Sequence, residues 1–318
     1  ASGAADAIII AVPHPLHSLI AMAALNAGLH VLCEKPLDIR LSLAKEAVRV
    51  GKETGKIFAV MLNQRTDPIF QRARELVRSG RLGELKRSVW IITNWYRTQH
   101  YYDSGSWRAT WAGEGGGVLL NQCPHQLDLW QWILGMPEKV QAFMRFGAFH
   151  DIEVEDDVTA LMEYEDGHTG VFITSTGDPH GSNRFEVQMD GAQLIAENEK
   201  LYLAELDQLE QDWTRTNTQP FGSVGCREIE VETDGLNTQH QGVLNAFAGA
   251  ILRGEPLVAS GIEGLQGLTL SNAMHLSAFL GKPVEIPFDE KLYYDELMKR
   301  VAVSRRKTGG SAVIADTS

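Results

Sequence analysis

The sequence predicts an α/β protein: a partial doubly wound parallel sheet, followed by an α+β domain with a large, mostly antiparallel, open-faced sheet. Three observations predict it. Short apolar strands alternate with helical patterns over residues 6–62. The connections between them are short, so neighbouring strands lie parallel with helices on their faces. Two hairpin signals follow, in residues 158–174 and 186–196.

Asp6–Val12 is a short β-branched run, the pattern of a buried parallel strand. Leu16–Ala27 carries apolar residues at helical spacing and stops at Gly28. His30–Cys33 is the next strand, Leu41–Thr54 an amphipathic helix ended by Gly55, and Ile57–Leu62 a third strand. Asp67-Pro68 supplies an N-cap and a proline at the first helical position, opening a helix that runs to Ser79. Leu85–Tyr96, rich in β-branched and aromatic residues, is a long strand. A helix is expected through Leu119–Leu134, kinked at Pro124, which has no N–H for Leu120. Val158–Tyr164 and Thr169–Thr174 flank Glu165-Asp166-Gly167-His168; Glu186–Met189 and Gln193–Ala196 flank Asp190-Gly191. Gln239–Leu252 and Leu265–Leu280 are helices, and the tail after Arg305 is expected to fray. The β-α alternation ends near residue 64. Residues 1–64 therefore form one domain and residues 65–318 a second, for substrate binding and self-association.

A dinucleotide-binding (Rossmann) sheet opens with a strand and a G-x-G-x-x-G turn. That motif is absent here, as are a P-loop, H-E-x-x-H and G-x-S-x-G, so nucleotide hydrolysis, metalloprotease and serine-hydrolase chemistry lack support. In the strand order 3-2-1-4-5-6, Asp6–Val12 fits strand 4. The expectation is the C-terminal half of a Rossmann domain, with strands 1–3 and their glycine-rich loop lying before residue 1. Strand 4 is then an unpaired edge.

The chain has 318 residues, 44% hydrophobic and 22% charged, as in an ordinary globular protein. Its net charge of -12 repels phosphate backbones and anionic lipid, against nucleic-acid and membrane partners. No apolar run approaches the ~20 residues of a bilayer helix. Cys33, Cys123 and Cys226 form no C-x-x-C pair. No disulfide framework or metal site is expected, and a cytoplasmic location fits.

Three segments carry chemistry. Glu34-Lys35-Pro36 sits just past a parallel strand, where ligands bind. A lysine there can hydrogen-bond a substrate hydroxyl and stabilise developing alkoxide charge, or simply be solvated. Pro36 can hold a cis bond. Asn121, His125 and Asp128 stand at i, i+4 and i+7 after the glycine-rich run Gly115-Gly116-Gly117, on one face of the expected helix. His125 suits a base, since its pKa lies near working pH. Asn121 can orient substrate or imidazole. Asp128 can fix the tautomer or cap a structural network. Residues 95–111 are dense in aromatics and arginines, among them Arg97, Trp107 and Arg108. They suit a sugar-binding loop or an oligomer contact.

Ala11-Val12-Pro13-His14-Pro15-Leu16-His17, the run Gly28 to Glu34-Lys35-Pro36, and Asn121-x-x-x-His125-x-x-Asp128 together resemble the Gfo/Idh/MocA oxidoreductase family (glucose–fructose oxidoreductase- and inositol dehydrogenase-like). The resemblance runs to about Pro287. It implies a Rossmann domain followed by an open-sheet domain, and NAD or NADP as cofactor. It implies Lys35 as the catalytic lysine and His125 as the catalytic histidine. The family often has aspartate where this chain has Asn121, which implies a two-member system with Asn121 as orienter. Pro13, His14 and His17 resemble the segment nearest the nicotinamide, with Glu34 and Lys35 at the same crevice.

The expected reaction is oxidation of a secondary hydroxyl of a sugar, sugar derivative or cyclitol, with Arg97, Trp107, Arg108, Asn121 and Asp128 at the ring. A homo-oligomer, dimer or tetramer, is expected. Two alternatives stand: a redox-neutral, glycoside-cleaving enzyme with tightly bound NAD, and a non-catalytic ligand-binding or scaffolding protein.

Overall fold

The computed structural model describes residue 3 and residues 5–305; the expected fraying after Arg305 lies outside them. Strand β1 (Ala7–Ile10), helix α1 (His17–Asn26), strand β2 (His30–Cys33), helix α2 (Leu41–Thr54) and strand β3 (Phe58–Val60) alternate as expected. The strands run parallel in the order β1-β2-β3, with Ile10 beside Cys33 and Cys33 beside Val60. Their carboxyl ends therefore open at one edge, where α/β sheets bind ligands. β1 has no second partner among the described residues, and Ile9 on it is 53% exposed.

A nine-stranded sheet follows. It comprises β4 (Leu85–Ile92), β5 (Lys139–Phe146), β6 (Glu155–Glu163), β7 (Thr169–Ser175), β8 (Asn183–Met189), β9 (Ala192–Glu197), β10 (Lys200–Leu206), β11 (Cys226–Glu230) and β12 (Val284–Glu285). Their order is β11-β10-β9-β8-β4-β7-β6-β5-β12. β4 and β7 pair in parallel; the remaining described neighbours are antiparallel. Both expected hairpins form, as β6–β7 and β8–β9. β4 ends at Ile92 rather than Tyr96. At its end the Gly181 backbone comes so close that a Cβ would stand 2.0 Å from the Thr93 carbonyl oxygen.

The helices of the second half are α3 (Pro68–Arg78), α4 (Gln99–Asp103), α5 (Pro124–Leu134), α6 (Glu210–Thr216), α7 (Gln239–Arg253), α8 (Gly264–Leu280) and α9 (Glu290–Val301). Asp67 caps α3 by accepting from the Ile69 amide at 2.9 Å. The helix expected from Leu119 begins instead at Pro124. The first helical position leaves its N–H unpaired anyway, so proline starts α5 rather than bending it. Asn121 therefore lies in the turn before the helix, and the single helical face expected for Asn121, His125 and Asp128 does not form.

Trp130 fixes α5 on the sheet. Its ring lies 5.9 Å from Phe172 and 6.1 Å from Phe185, and Nε1 donates to the Tyr164 hydroxyl at 2.7 Å. Gly170 makes room, since a Cβ there would meet the Trp130 ring at 2.5 Å. α7 returns to the first sheet, where Val243 and Phe247 cluster with Leu32, Ala59 and Met61. Among the described residues, no helix is long and apolar enough to cross a membrane.

Candidate active site

The site forms where the ends of β1 and β2 meet the glycine-rich turn before α5. After β1, the chain makes a 3-10 turn over His14–Leu16, and His14 is buried with Nδ1 unpartnered. His17 faces two carbonyl oxygens, Nδ1 to Pro36 at 2.6 Å and Nε2 to Val12 at 2.7 Å. It thereby ties the end of β1 to the turn after β2. Lys35 leads that turn through a cis bond to Pro36. Its ammonium donates to the Asn121 backbone carbonyl at 2.8 Å, which leaves two donors free.

The 115–121 turn is held from beneath. Glu155 accepts from the Gly117 amide at 2.8 Å and the Leu119 amide at 3.1 Å, while His275 Nε2 stands 3.1 Å away. Gly117 is required by close approach, because a Cβ would lie 2.0 Å from the Glu155 carbonyl oxygen. The chain then enters α5, where His125 is partly buried with Nδ1 unpartnered.

A chain of hydrogen bonds crosses the site. Arg108 Nη1 donates to the Tyr101 hydroxyl at 2.9 Å, and Tyr101 donates to Asn121 Oδ1 at 3.3 Å. Asn121 Nδ2 in turn donates to Glu114, whose other oxygen accepts from the Ala109 amide at 2.6 Å. The Tyr101 ring also carries the Arg108 and Arg97 guanidiniums, at 4.6 and 5.1 Å from its centroid.

Burial dominates the electrostatics. It holds His125 well below the ordinary histidine value, and the Lys35 charge lowers it further. His14 is lowered in the same way, by burial and then by Lys35. Lys35 is itself lowered by burial, against the pull of Glu34 and Glu114. Glu114 is pushed up to about 7 by burial. Near neutral pH the site therefore holds a neutral imidazole beside an amine donor.

These shifts fix the sign of a stability profile. A histidine held below its unfolded value of about 6.5 binds fewer protons when folded, so its contribution weakens as pH falls through that value. Glu114, raised to about 7, works the other way over the same range, so the histidine contribution is read as a difference: between about pH 7.5 and pH 5 the melting temperature of the unaltered protein is expected to fall relative to that of His125→Gln. An unchanged slope in that variant would contradict the buried neutral imidazole.

Lys35 is the common neighbour: it donates to the Asn121 carbonyl, its charge lowers both His14 and His125, and Glu34 and Arg108 act on it in turn. Trp107 lies at the rim, its ring 6.0 Å from His14 and 4.6 Å from the Arg108 guanidinium carbon. Pro13 is exposed beside His14. Two expected ligand contacts have their polar atoms engaged elsewhere. His17 has both ring nitrogens on backbone carbonyls. Asp128 is 2% exposed and faces the Arg65 guanidinium with both oxygens, each at 2.7 Å. Asp128 thus serves a buried ion pair and leaves His125 without a carboxylate partner. Sequence reasoning missed Glu114 and Tyr101. Their one signal was position, Glu114 inside the glycine-rich run and Tyr101 in the aromatic loop.

Parallel strands whose carboxyl ends present a lysine, beside a helix presenting an imidazole, are an arrangement suited to a dinucleotide-dependent oxidoreductase. Residues 1–62 match the model of the oxidoreductase family with an NAD-binding Rossmann fold, and residues 70–195 match the GFO/IDH/MocA C-terminal domain. The chain belongs to the Gfo/Idh/MocA oxidoreductase family. It is 27% identical to the 1,5-anhydro-D-fructose reductase of Ensifer adhaerens, over 88% of this chain and 80% of that protein. It is 24% identical to the inositol 2-dehydrogenase of Rhizobium meliloti, over 84% and 77%. Among solved structures it resembles the WlbA dehydrogenase of Bordetella pertussis, in complex with NADH and UDP-GlcNAcA. That match has a TM-score of 0.73 at 26% identity and covers 90% of this chain and 81% of that one.

The residues present fit the reacting end of a nicotinamide cofactor. His14 offers a buried, unpartnered Nδ1 at the end of β1, and Lys35 offers free donors at the end of β2.

Proposed function

We propose that this protein oxidises a secondary hydroxyl of a sugar, sugar derivative or cyclitol, with NAD or NADP as hydride acceptor. One observation carries the reading: an amine anchored at 2.8 Å to the Asn121 carbonyl, just before α5, lies near enough to His125 for its charge to lower that imidazole's pKa. The cofactor supplies the hydride acceptor, and Pro13, His14, Glu34 and Lys35 would flank it. His125 takes the hydroxyl proton, since its lowered pKa keeps the imidazole free to accept one. Lys35 donates a hydrogen bond to the same oxygen and stabilises negative charge there as the proton leaves. Asn121 orients Lys35 through its backbone carbonyl. Arg97, Arg108 and Trp107 form the wall of guanidinium and aromatic faces against which a ring rests.

Residues 1–64 form the cofactor side in this reading and residues 65–318 the substrate side. Self-association as a dimer or tetramer is supported by Phe143 and Leu161, 60% and 46% exposed on the open sheet. The three free cysteines support a cytoplasmic setting.

The test is the absorbance of reduced nicotinamide, followed across a panel of sugars and cyclitols with NAD and with NADP. Reduction dependent on one sugar or cyclitol is expected. Cofactor binding without reduction by any member of the panel would overturn the reading.

A further inference from the structure

Glu114 is 2% exposed, and no part of the proton transfer described above uses it. It is the last acceptor of a directed chain: Arg108 to Tyr101, Tyr101 to Asn121, Asn121 to Glu114. Its second oxygen is closed by the Ala109 amide at 2.6 Å. The direction of donation fixes the Asn121 amide, with oxygen toward Tyr101 and nitrogen toward Glu114. The next hydrogen bond leaves the same residue, since the Asn121 backbone carbonyl receives Lys35. We propose that Glu114 is the carboxylate of this site, a positioning residue that acts through Asn121 on Lys35. The inference rests on the proposed role of Lys35.

The charged and titratable groups facing Glu114 are Arg108, Glu155, Lys35, His14 and Tyr102. Burial above all, and then Glu155, oppose the ionised form, while the hydrogen bonds from Ala109 and Asn121 and then the Arg108 charge favour it. The carboxyl consequently titrates at about 7. Its folded value exceeds the ordinary 4.5, so its contribution to stability is full at low pH and is lost as pH rises toward 7. When Glu114 holds a proton it gains a donor. It then competes with Asn121 Nδ2 for the space between them, and the amide loses its fixed direction. Lys35 placement thus responds to the protonation of a group it does not touch.

Hydrogen-bond chemistry supplies the test, a reciprocal exchange. Asn121→Asp alone sets a second carboxyl against Glu114, so the bond between them forms only while one of the two holds a proton, and at higher pH the two charges repel. Glu114→Gln alone sets one of its amide's faces against a donor, either the Ala109 amide or Asn121 Nδ2. The double variant closes every bond again, with the introduced amide donating to the introduced carboxylate and accepting from Ala109. Each single variant is expected to lower the melting temperature and, in the panel assay, to lower kcat by about tenfold or more, the scale of one unsatisfied buried polar group. The double variant should recover most of both losses.

The readout specific to positioning is the Lys35 side-chain signal, followed by NMR on isotope-labelled protein across pH. In the unaltered protein it should shift with a step near 7, and Glu114→Gln should erase the step. A step that survives Glu114→Gln, or a double variant no better than the sum of its singles, overturns the proposal. Melting and NMR need no turnover. They can therefore fail while the dehydrogenase reading stands, and hold if that reading falls.

Discussion

Lys35→Ala and His125→Ala are each expected to reduce turnover by roughly 10²–10⁴-fold, the range removed with a positioned acid–base group. The effects have different origins. In the proposed mechanism Lys35 is a donor whose worth grows as negative charge develops on the substrate oxygen, so its loss should lower kcat more than it raises KM. In the proposed mechanism His125 is the base, and its pKa is held low by burial and next by the Lys35 charge. Its loss should remove the acid limb of the pH–rate profile. The variants are also coupled. Without the Lys35 charge, the His125 imidazole should titrate higher, because one of the three causes that depress it, burial, Lys35 and His240, is gone. Near-normal kcat in both variants would contradict the assignment, as would an acid limb unmoved by Lys35→Ala.

The largest stability effect is expected at a pair outside the chemistry. Arg65 and Asp128 have side chains 2% and 3% exposed, joined by two bonds of 2.7 Å, with Glu263 completing the guanidinium's carboxylate partners. Arg65 follows β3, and Asp128 lies in the first turns of α5. The pair therefore clamps the parallel sheet to the helix that carries His125. Arg65→Ala strands the buried Asp128 charge and should cost about 3–5 kcal/mol, while Asp128→Ala leaves Arg65 with Glu263 and should cost less. Replacing both at once, Arg65→Met with Asp128→Leu, removes both charges and should recover much of that loss. Equilibrium denaturation of the three variants measures it. A loss under about 1 kcal/mol in both single variants would show that the clamp is not holding the helix.

The parallel sheet was legible because its signals are local. Asp6–Val12, His30–Cys33 and Ile57–Leu62 are apolar runs between amphipathic helices, and each contains the strand observed. The two hairpins were legible from turn residues alone. The start of α5 was misread because Pro124 obeys two rules, and only the fold around Gly117 and Glu155 decides between a kink and a first helical position. The sharing of Asp128 with Arg65 joins residues far apart in the chain, so no spacing announces it. Lys35 and His125 stood out by position, at a strand end and after a glycine-rich turn, and the structure sets the Lys35 charge near enough to His125 to lower its pKa. Glu114 was not, because a glutamate among glycines has no periodicity, and its burial depends on Ala109 and Asn121 closing over it.

The central claim is that an amine at the tip of β2 and an imidazole at the start of α5 act on one substrate oxygen. A crystal structure of the protein with cofactor and a sugar identified in the panel assay tests it most directly. One ring hydroxyl is expected within hydrogen-bond reach of both Lys35 Nζ and a His125 ring nitrogen. A bound sugar whose reacting hydroxyl meets neither group, or meets them with different oxygens, would contradict it.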